Sequence, residues 1–217
     1  MIKKMKDPFS SLSHLLAACI SVVLTALFIY RANSFGEGTY VVAFAIFGLA
    51  LILLYTASAI YHMLPVPEKV TAMLRRIDHM MIFVLIAGTY TPVCLVPLRG
   101  PWGWSMLAAI WGLAFSGIIL KACWLNAPRW LSTAIYLFMG WFVVLVFYPL
   151  AKTVPLTGIA MLTAGGIAYS VGAVFYACKW PRFKVKWFGF HELFHLFVMG
   201  GSWCHVVFMF RYILKLA

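Results

Sequence analysis

Residues 41–64, VVAFAIFGLALILLYTASAIYHML, contain no Asp, Glu, Lys or Arg. A helix of about 20 predominantly apolar residues is long enough to cross the hydrocarbon core of a bilayer. Ser58 and His62 stand near the end of this stretch, four positions apart, and therefore share one face of a helix. The stretch predicts a membrane-spanning helix with a polar patch at one end.

The rest of the chain repeats this pattern. Of its 217 residues, 65% are hydrophobic and 10% are charged, and the mean hydropathy is +0.98. A water-soluble globule needs more polar surface than this composition supplies. We therefore predict one all-α domain, residues 1–217, that forms a polytopic membrane bundle of seven transmembrane helices with short turns. The predicted spans are residues 12–30, 41–64, 78–96, 104–121, 130–150, 156–178 and 191–213.

The formal net charge of +12 does not indicate a nucleic-acid partner, because the basic residues are distributed by loop and form no single stripe. With seven spans, twelve of the 17 Lys and Arg residues fall on the side of the N-terminus. Basic residues are concentrated on the cytoplasmic side of membrane proteins. We therefore predict a cytoplasmic N-terminus and an external C-terminus. The residues on the other side are Arg31, Arg99, Lys152, Arg211 and Lys215.

The polar residues of the spans gather at this cytoplasmic side. In HELFH, at residues 191–195, two histidines are one helical turn apart, His62 closes the second span and Asp78 opens the third. Ionisable side chains at membrane depth are costly and therefore indicate function. Three neutral imidazoles are a common ligand set of zinc sites that keep one position open for water.

We predict that zinc is bound by His62, His191 and His195. Asp78 is then placed to orient or deprotonate a water molecule, and Ser58 to hold that water or a substrate carbonyl. Two alternatives stay open. Asp78 could be only the N-terminal cap of the third helix, and zinc could be only a structural link between helices.

Four further residues are predicted to contact a lipid. Arg75 and Arg76 would bind an anionic head group or a product carboxylate. Thr89 and Ser202 continue the polar faces of the third and seventh spans, so they would line a cavity that runs from the zinc toward the outer leaflet. The alternative for these two hydroxyls is a hydrogen bond to a backbone carbonyl that helps helices to pack.

The spacing His-Glu-x-x-His also occurs in zinc metalloproteases, where the glutamate is the general base. An intramembrane protease would need a further carboxylate ligand in a later span, and no Asp or Glu follows Glu192. Glu192 is instead expected to form a solvated ion pair with Lys184 or Lys186. We assign no role to His14, His79 or His205.

Three motifs together resemble the hemolysin III-like bacterial members of the progestin and adipoQ receptor family: Ser58-x-x-x-His62, Arg76-Ile77-Asp78-His79 and His191-x-x-x-His195. Shorter similar phrases cover the chain, among them Asp7 with Ser13-His14, Ala87-Gly88-Thr89-Tyr90-Thr91-Pro92, Met139-Gly140-Trp141 and Gly200-Gly201-Ser202 with Cys204-His205. The wider family contains adiponectin receptors and alkaline ceramidases. The resemblance therefore implies seven helices, an inward N-terminus and a zinc ion held by the three histidines, with Asp78 and Ser58 around its water.

The resemblance also implies the inner membrane of a bacterium and a part in membrane-lipid homeostasis. The activity that we expect is zinc-dependent hydrolysis of a lipid amide or ester, with a membrane lipid as substrate or ligand. Two other classes of function stay open. One is a non-enzymatic membrane sensor or regulator with structural zinc, and the other is a pore-forming, haemolysin-like protein.

Overall fold

The computed structural model describes residues 5–124, 127–182, 185 and 188–216, with the side chain of Arg129 left out. Within these residues the regular structure is helical, and no β-strand is present. A 3₁₀ segment, Phe142–Val146, follows the fifth helix, and a π-helical turn, Met209–Ile213, extends the last. The helices are α1 (Pro8–Asn33), α2 (Gly38–Met63), α3 (Glu68–Leu95), α4 (Pro101–Cys123), α5 (Arg129–Trp141), α6 (Phe147–Ala151), α7 (Leu156–Cys178) and α8 (Phe190–Phe208).

Six helical segments of the described chain are long and apolar enough to cross a membrane, so the protein is a multi-pass membrane protein. They are Pro8–Asn33, Gly38–Met63, Pro101–Cys123, Trp130–Leu150, Leu156–Cys178 and Phe190–Ile213. The α3 helix is not among them, and its first turns carry charged side chains. The predicted count of seven spans and the predicted cytoplasmic N-terminus stay predictions.

The α3 helix begins at Glu68, ten residues before the start of the predicted span at Asp78. Helical hydrogen bonds continue past the apolar stretch because every backbone group in or near a bilayer needs a partner. Asp78 therefore lies in the third turn of the helix and cannot be its N-terminal cap. This removes the alternative of a purely capping role.

The fifth predicted span is interrupted at Phe142–Val146, where the helix narrows to a 3₁₀ segment between α5 and α6. Pro149 follows closely, and a proline has no N–H to donate to the carbonyl four residues earlier. The Tyr90 hydroxyl of α3 occupies the break. It donates to the carbonyls of Met139 and Gly140, at 2.8 and 2.9 Å, and accepts the N–H of Val143 at 2.7 Å.

Helices that are adjacent in sequence pack against each other, as for α1 with α2, α2 with α3, α3 with α4 and α7 with α8, and α1 also contacts α8. Gly88 permits a close approach of α2 and α3, because a Cβ there would lie 2.5 Å from the Cβ of Ala50. The outer surface is apolar, with Leu16 and Leu156 at 60% and 82% exposure, as a lipid-facing surface requires.

Short turns between these helices place the starts of α1, α3 and α8 beside the ends of α2, α4 and α7. We call this the histidine end of the bundle. The opposite end carries the ion pair between Arg99 and Glu37, whose Nη1 and Oε2 are 2.7 Å apart.

Candidate metal centre

Three imidazoles meet at the histidine end. His62 comes from the last turn of α2, and His191 and His195 come from the first two turns of α8. Their ring centroids are 4.6, 4.9 and 5.0 Å apart. One nitrogen of each ring lies within 4.8 Å of the others, so the three side chains could together hold a metal ion.

Asp7, the residue before α1, orients His62. Its Oδ2 atom is 2.9 Å from Nδ1 of His62, and its backbone N–H donates to the His62 carbonyl at 2.9 Å. This hydrogen bond from the imidazole holds the pKa of Asp7 below its usual range, so the acceptor is a carboxylate. An imidazole that donates from Nδ1 presents the lone pair of Nε2, which here points into the cluster, 3.2 Å from Nε2 of His191.

The donor set fits zinc. With Zn–N bonds of about 2.0–2.1 Å, two nitrogens of a tetrahedral site are about 3.3 Å apart, close to the 3.2 Å between His62 and His191. His195 is 2% exposed, and its Nδ1 has no hydrogen-bond partner among the described residues. Burial of an imidazole nitrogen without a partner is unfavourable, and a cation bound to that nitrogen would relieve it. The assignment of the three histidines as metal ligands stays a prediction.

A fourth imidazole supports the cluster. His14, in the second turn of α1, lies nearly parallel to His195, with ring centroids 3.9 Å apart and an interplanar angle of 12°. The edge of Tyr55 packs against His14 at a centroid distance of 5.1 Å. Neither nitrogen of the buried His14 ring has a partner within the described ranges. The stacked ring fixes the plane of His195 and so limits the directions in which its nitrogens can point.

A cavity of about 740 Å³ adjoins the cluster. Asp78 is 9% exposed and faces both Ser58 and His62. The cavity reaches Val93, about 22 Å along α3 from Asp78 at 1.5 Å per residue. It therefore connects the polar cluster with the apolar interior of the bundle. Of the residues predicted to form the site, its wall includes His62, His191, His195, Asp78, Ser58, Arg75 and Thr89.

Two predicted lipid-contacting residues lie away from this wall. Arg76 does not line the cavity, and its buried Nε has no partner in the described part of the chain. Ser202 does not line it either. Its Oγ accepts a hydrogen bond from Tyr55 at 2.6 Å and is 2.7 Å from the Tyr169 hydroxyl.

Thr89 combines the two roles predicted for it. It lines the cavity, while its Oγ1 donates to the carbonyl of Leu85 within α3 at 2.8 Å. The three other histidines also have defined places. His14 packs on the cluster, His79 and His205 line the cavity, and Nε2 of His205 is 3.2 Å from the Leu162 carbonyl.

Glu192 accepts two hydrogen bonds at the start of α8. It is the third residue of α8, and its Oε2 accepts the N–H of Gly189, the residue before the helix, at 2.8 Å. Its Oε1 accepts the Ser10 hydroxyl of α1 at 3.1 Å. Lys184 and Lys186, the predicted partners, lie outside the described residues. The glutamate therefore stabilises the helix start that carries His191 and ties it to α1.

Comparison with known proteins agrees with the resemblance in the histidine motifs. A family model described as Haemolysin-III related matches residues 2–206. Hemolysin-3 of Bacillus cereus is 39% identical over 193 residues, which cover 89% of this chain and 85% of that protein. The Hemolysin-3 homolog of Bacillus subtilis (strain 168) is 37% identical over 193 residues, with 89% and 87% covered.

A more distant relative is human. Monocyte to macrophage differentiation factor of Homo sapiens is 26% identical over 174 residues, which cover 78% of this chain and 70% of that protein. The match to the family model and the identity to the two Bacillus proteins extend over nearly the whole chain. This multi-pass membrane protein therefore belongs to the haemolysin-III related family.

Proposed function

We propose that this protein binds zinc through His62, His191 and His195 and hydrolyses an amide or ester bond of a membrane lipid. The observation that supports this most directly is the position of three clustered imidazoles in the wall of a cavity of about 740 Å³. Ligand cavities commonly have volumes of about 300–1,000 Å³. A lipid chain would lie in the apolar part, with its carbonyl beside the cluster.

When bound there, zinc would act as a Lewis acid that polarises a carbonyl and lowers the pKa of water. Asp78 is buried beside the cluster, and its carboxylate would accept the proton of the attacking water. Ser58, which faces Asp78, would hold that water or the substrate carbonyl by a hydrogen bond. Asp7 and His14 would hold the imidazoles in place.

The test is an incubation of purified protein with ceramides and phospholipids. We expect release of fatty acid that a chelator stops and added zinc restores, and that Asp78→Asn abolishes. If no fatty acid is released from any of these lipids by zinc-loaded protein, the hydrolase proposal is wrong.

A second function is supported by the way the helices meet. The backbones of α2 and α8 do not pack closely, yet the cluster joins one histidine of α2 to two of α8. Zinc in that place would act as a link that holds a sensor or regulator in one arrangement. In that case chelation would lower the temperature of unfolding, while no lipid would be hydrolysed with zinc bound.

We further propose that the protein lies in the inner membrane of a bacterium with the histidine end in the cytoplasm. The two Hemolysin-3 relatives come from Bacillus, and twelve of 17 basic residues fall on this side when seven spans are counted. A C-terminal reporter that is active only in the cytoplasm should then be silent. An active reporter would place the C-terminus inside and reduce the span count by one.

A further inference from the structure

The α4 helix carries a buried cation. Its inward stripe follows helical spacing through Ile110, Ala114, Gly117 and Lys121. The Lys121 side chain is therefore directed into the bundle, where it is 2% exposed and lines the same cavity as the histidine cluster. A lysine at membrane depth normally reaches water or pairs with an acid. Lys121 makes no hydrogen bond or ion pair with any described residue.

No acidic side chain forms an ion pair with Lys121. The chain has five Asp and Glu residues, and all of them are described. Glu37 pairs with Arg99 at the opposite end, and Glu68 is exposed at the start of α3. The other three line the cavity: Asp7 pairs with His62, Glu192 accepts the N–H of Gly189, and Asp78 faces Ser58 and forms no ion pair.

Arg75 is a second cation in the cavity wall without an ion pair in the described ranges. Its charge lies near enough to Lys121 for the two to interact. Two neighbouring positive charges, one of them fully buried, are unfavourable unless an anion lies between them. No described carboxylate forms an ion pair with Lys121 or Arg75, so an anionic ligand would balance their charge.

We propose that Lys121 and Arg75 form a subsite for the anionic head group of a single- or double-chain lipid whose apolar chain occupies the cavity. The head group would be a carboxylate or a phosphate, both of which accept hydrogen bonds from lysine and arginine. This inference rests on the proposed function, because it places the head group beside the histidine cluster. It adds a choice of substrate: an anionic amphiphile in preference to a neutral lipid such as ceramide.

Binding to the full-length protein in phosphatidylcholine nanodiscs tests this, with empty nanodiscs as the reference for partition. The probes are oleate, oleoyl-lysophosphatidate and neutral monoolein, which share one chain. A charge-assisted contact contributes about 1.5–3 kcal/mol, so the wild type should bind at least one anionic probe about tenfold more tightly than monoolein. The anionic probe that binds more tightly identifies the head group.

Lys121→Met keeps the approximate length and the apolar stem of the side chain but removes its charge. It should abolish the preference for anionic probes without weakening the binding of monoolein. Lys69→Met is the matched control, because Lys69 is exposed at the same end and does not line the cavity. It should bind like the wild type. Should Lys121→Met fail to fold, Arg75→Gln decides, with a partial loss of the preference expected.

The subsite would be overturned if Lys121→Met and Arg75→Gln keep the preference for anionic probes, or if they lose as much affinity for monoolein as for the anionic probes. The two ester probes, oleoyl-lysophosphatidate and monoolein, are measured in the Asp78→Asn background, where the hydrolase proposal expects no cleavage, so the outcome is separate from that of the hydrolase proposal. Anion preference without hydrolysis would leave the subsite standing and remove the enzyme. Hydrolysis of neutral lipids alone, unaffected by Lys121→Met, would support the enzyme and overturn the subsite.

Discussion

The α2 and α8 helices meet at two polar clusters that differ in how far their hydrogen bonds are satisfied. At the histidine end, His62 of α2 meets His191 and His195 of α8. Seven residues further along α8, Ser202 meets Tyr55 of α2 and also Tyr169 of α7. We call the second group the hydroxyl cluster. Both clusters are polar and both lie among helices that face lipid.

In the hydroxyl cluster the polar groups satisfy one another, since both tyrosine hydroxyls are within 2.7 Å of Ser202 Oγ. In the histidine cluster Nδ1 of His195 and both nitrogens of the adjoining His14 have no partner among the described residues. Buried polar atoms without partners are rare and unfavourable in native proteins. The contrast indicates that the hydroxyl cluster is built for packing and is consistent with a ligand at the histidine cluster.

The largest effect is expected for the double variant His191→Ala and His195→Ala. If the histidine cluster is the metal site, the wild type should carry about one zinc per chain and this variant should lose most of it, because two of three ligands are gone. Elemental analysis of purified protein measures this. Stoichiometric zinc in the double variant would contradict the assignment.

Asp78→Asn sharpens the same comparison within the histidine end. The amide keeps the shape of the side chain but cannot accept a proton, so fatty acid release should fall by orders of magnitude while zinc stays bound. Zinc content and activity are to be measured on one preparation. Loss of the metal would instead make Asp78 a ligand.

Asp7→Asn tests the hydrogen bond that orients His62. Loss of such an outer partner typically weakens metal affinity by about 10–100-fold. Titration with a competing chelator gives the affinity, and Glu37→Gln is a matched control because Glu37 pairs with Arg99 at the opposite end. Equal affinities in wild type and Asp7→Asn would show that the His62 ring is oriented by its packing alone.

The helical fold and the shared face of His191 and His195 could be predicted because both follow from periodicity, and the common depth of the three histidines together with the family resemblance predicted that His62 joins them. Apolar runs of about 20 residues predict spans, and a spacing of four puts His191 and His195 on one face. The ends of helices were less certain. Asp78 was expected at the start of a span but lies in the third turn of α3, since polar residues continue the helix. The 3₁₀ break at Phe142–Val146 was not predicted, although Pro149 was a signal for it.

The contacts from other helices that support the three histidines could not be predicted from the sequence, because spacing gives the face of a residue but not the neighbour that this face meets. Asp7 binds His62 across 55 positions, and His14 stacks on His195 from another helix. Lys121 had a detectable signal, since it continues the inward stripe of α4. Because it stands at the end of the predicted span, it could not be distinguished from the basic residues of the following loop.

The smallest effect is expected at the hydroxyl cluster, and it is the one that tests whether the two clusters are independent. Ser202→Ala removes the shared oxygen and leaves the buried hydroxyl of Tyr55 and the half-buried hydroxyl of Tyr169 without that partner. The cost should be about 1–3 kcal/mol in the free energy of unfolding. It would be about 1 kcal/mol if the tyrosine hydroxyls also find partners in the membrane-embedded unfolded state. Thermal unfolding in detergent measures it. Thr89→Val is the matched control, because the Thr89 hydroxyl bonds only within α3, so its loss should cost less. Zinc content should be unchanged in both variants, since Ser202 is two helical turns from His195 and does not line the cavity. If Ser202→Ala released zinc, the hydroxyl cluster would be part of the metal site, and the distinction between packing and ligand binding along α8 would fail.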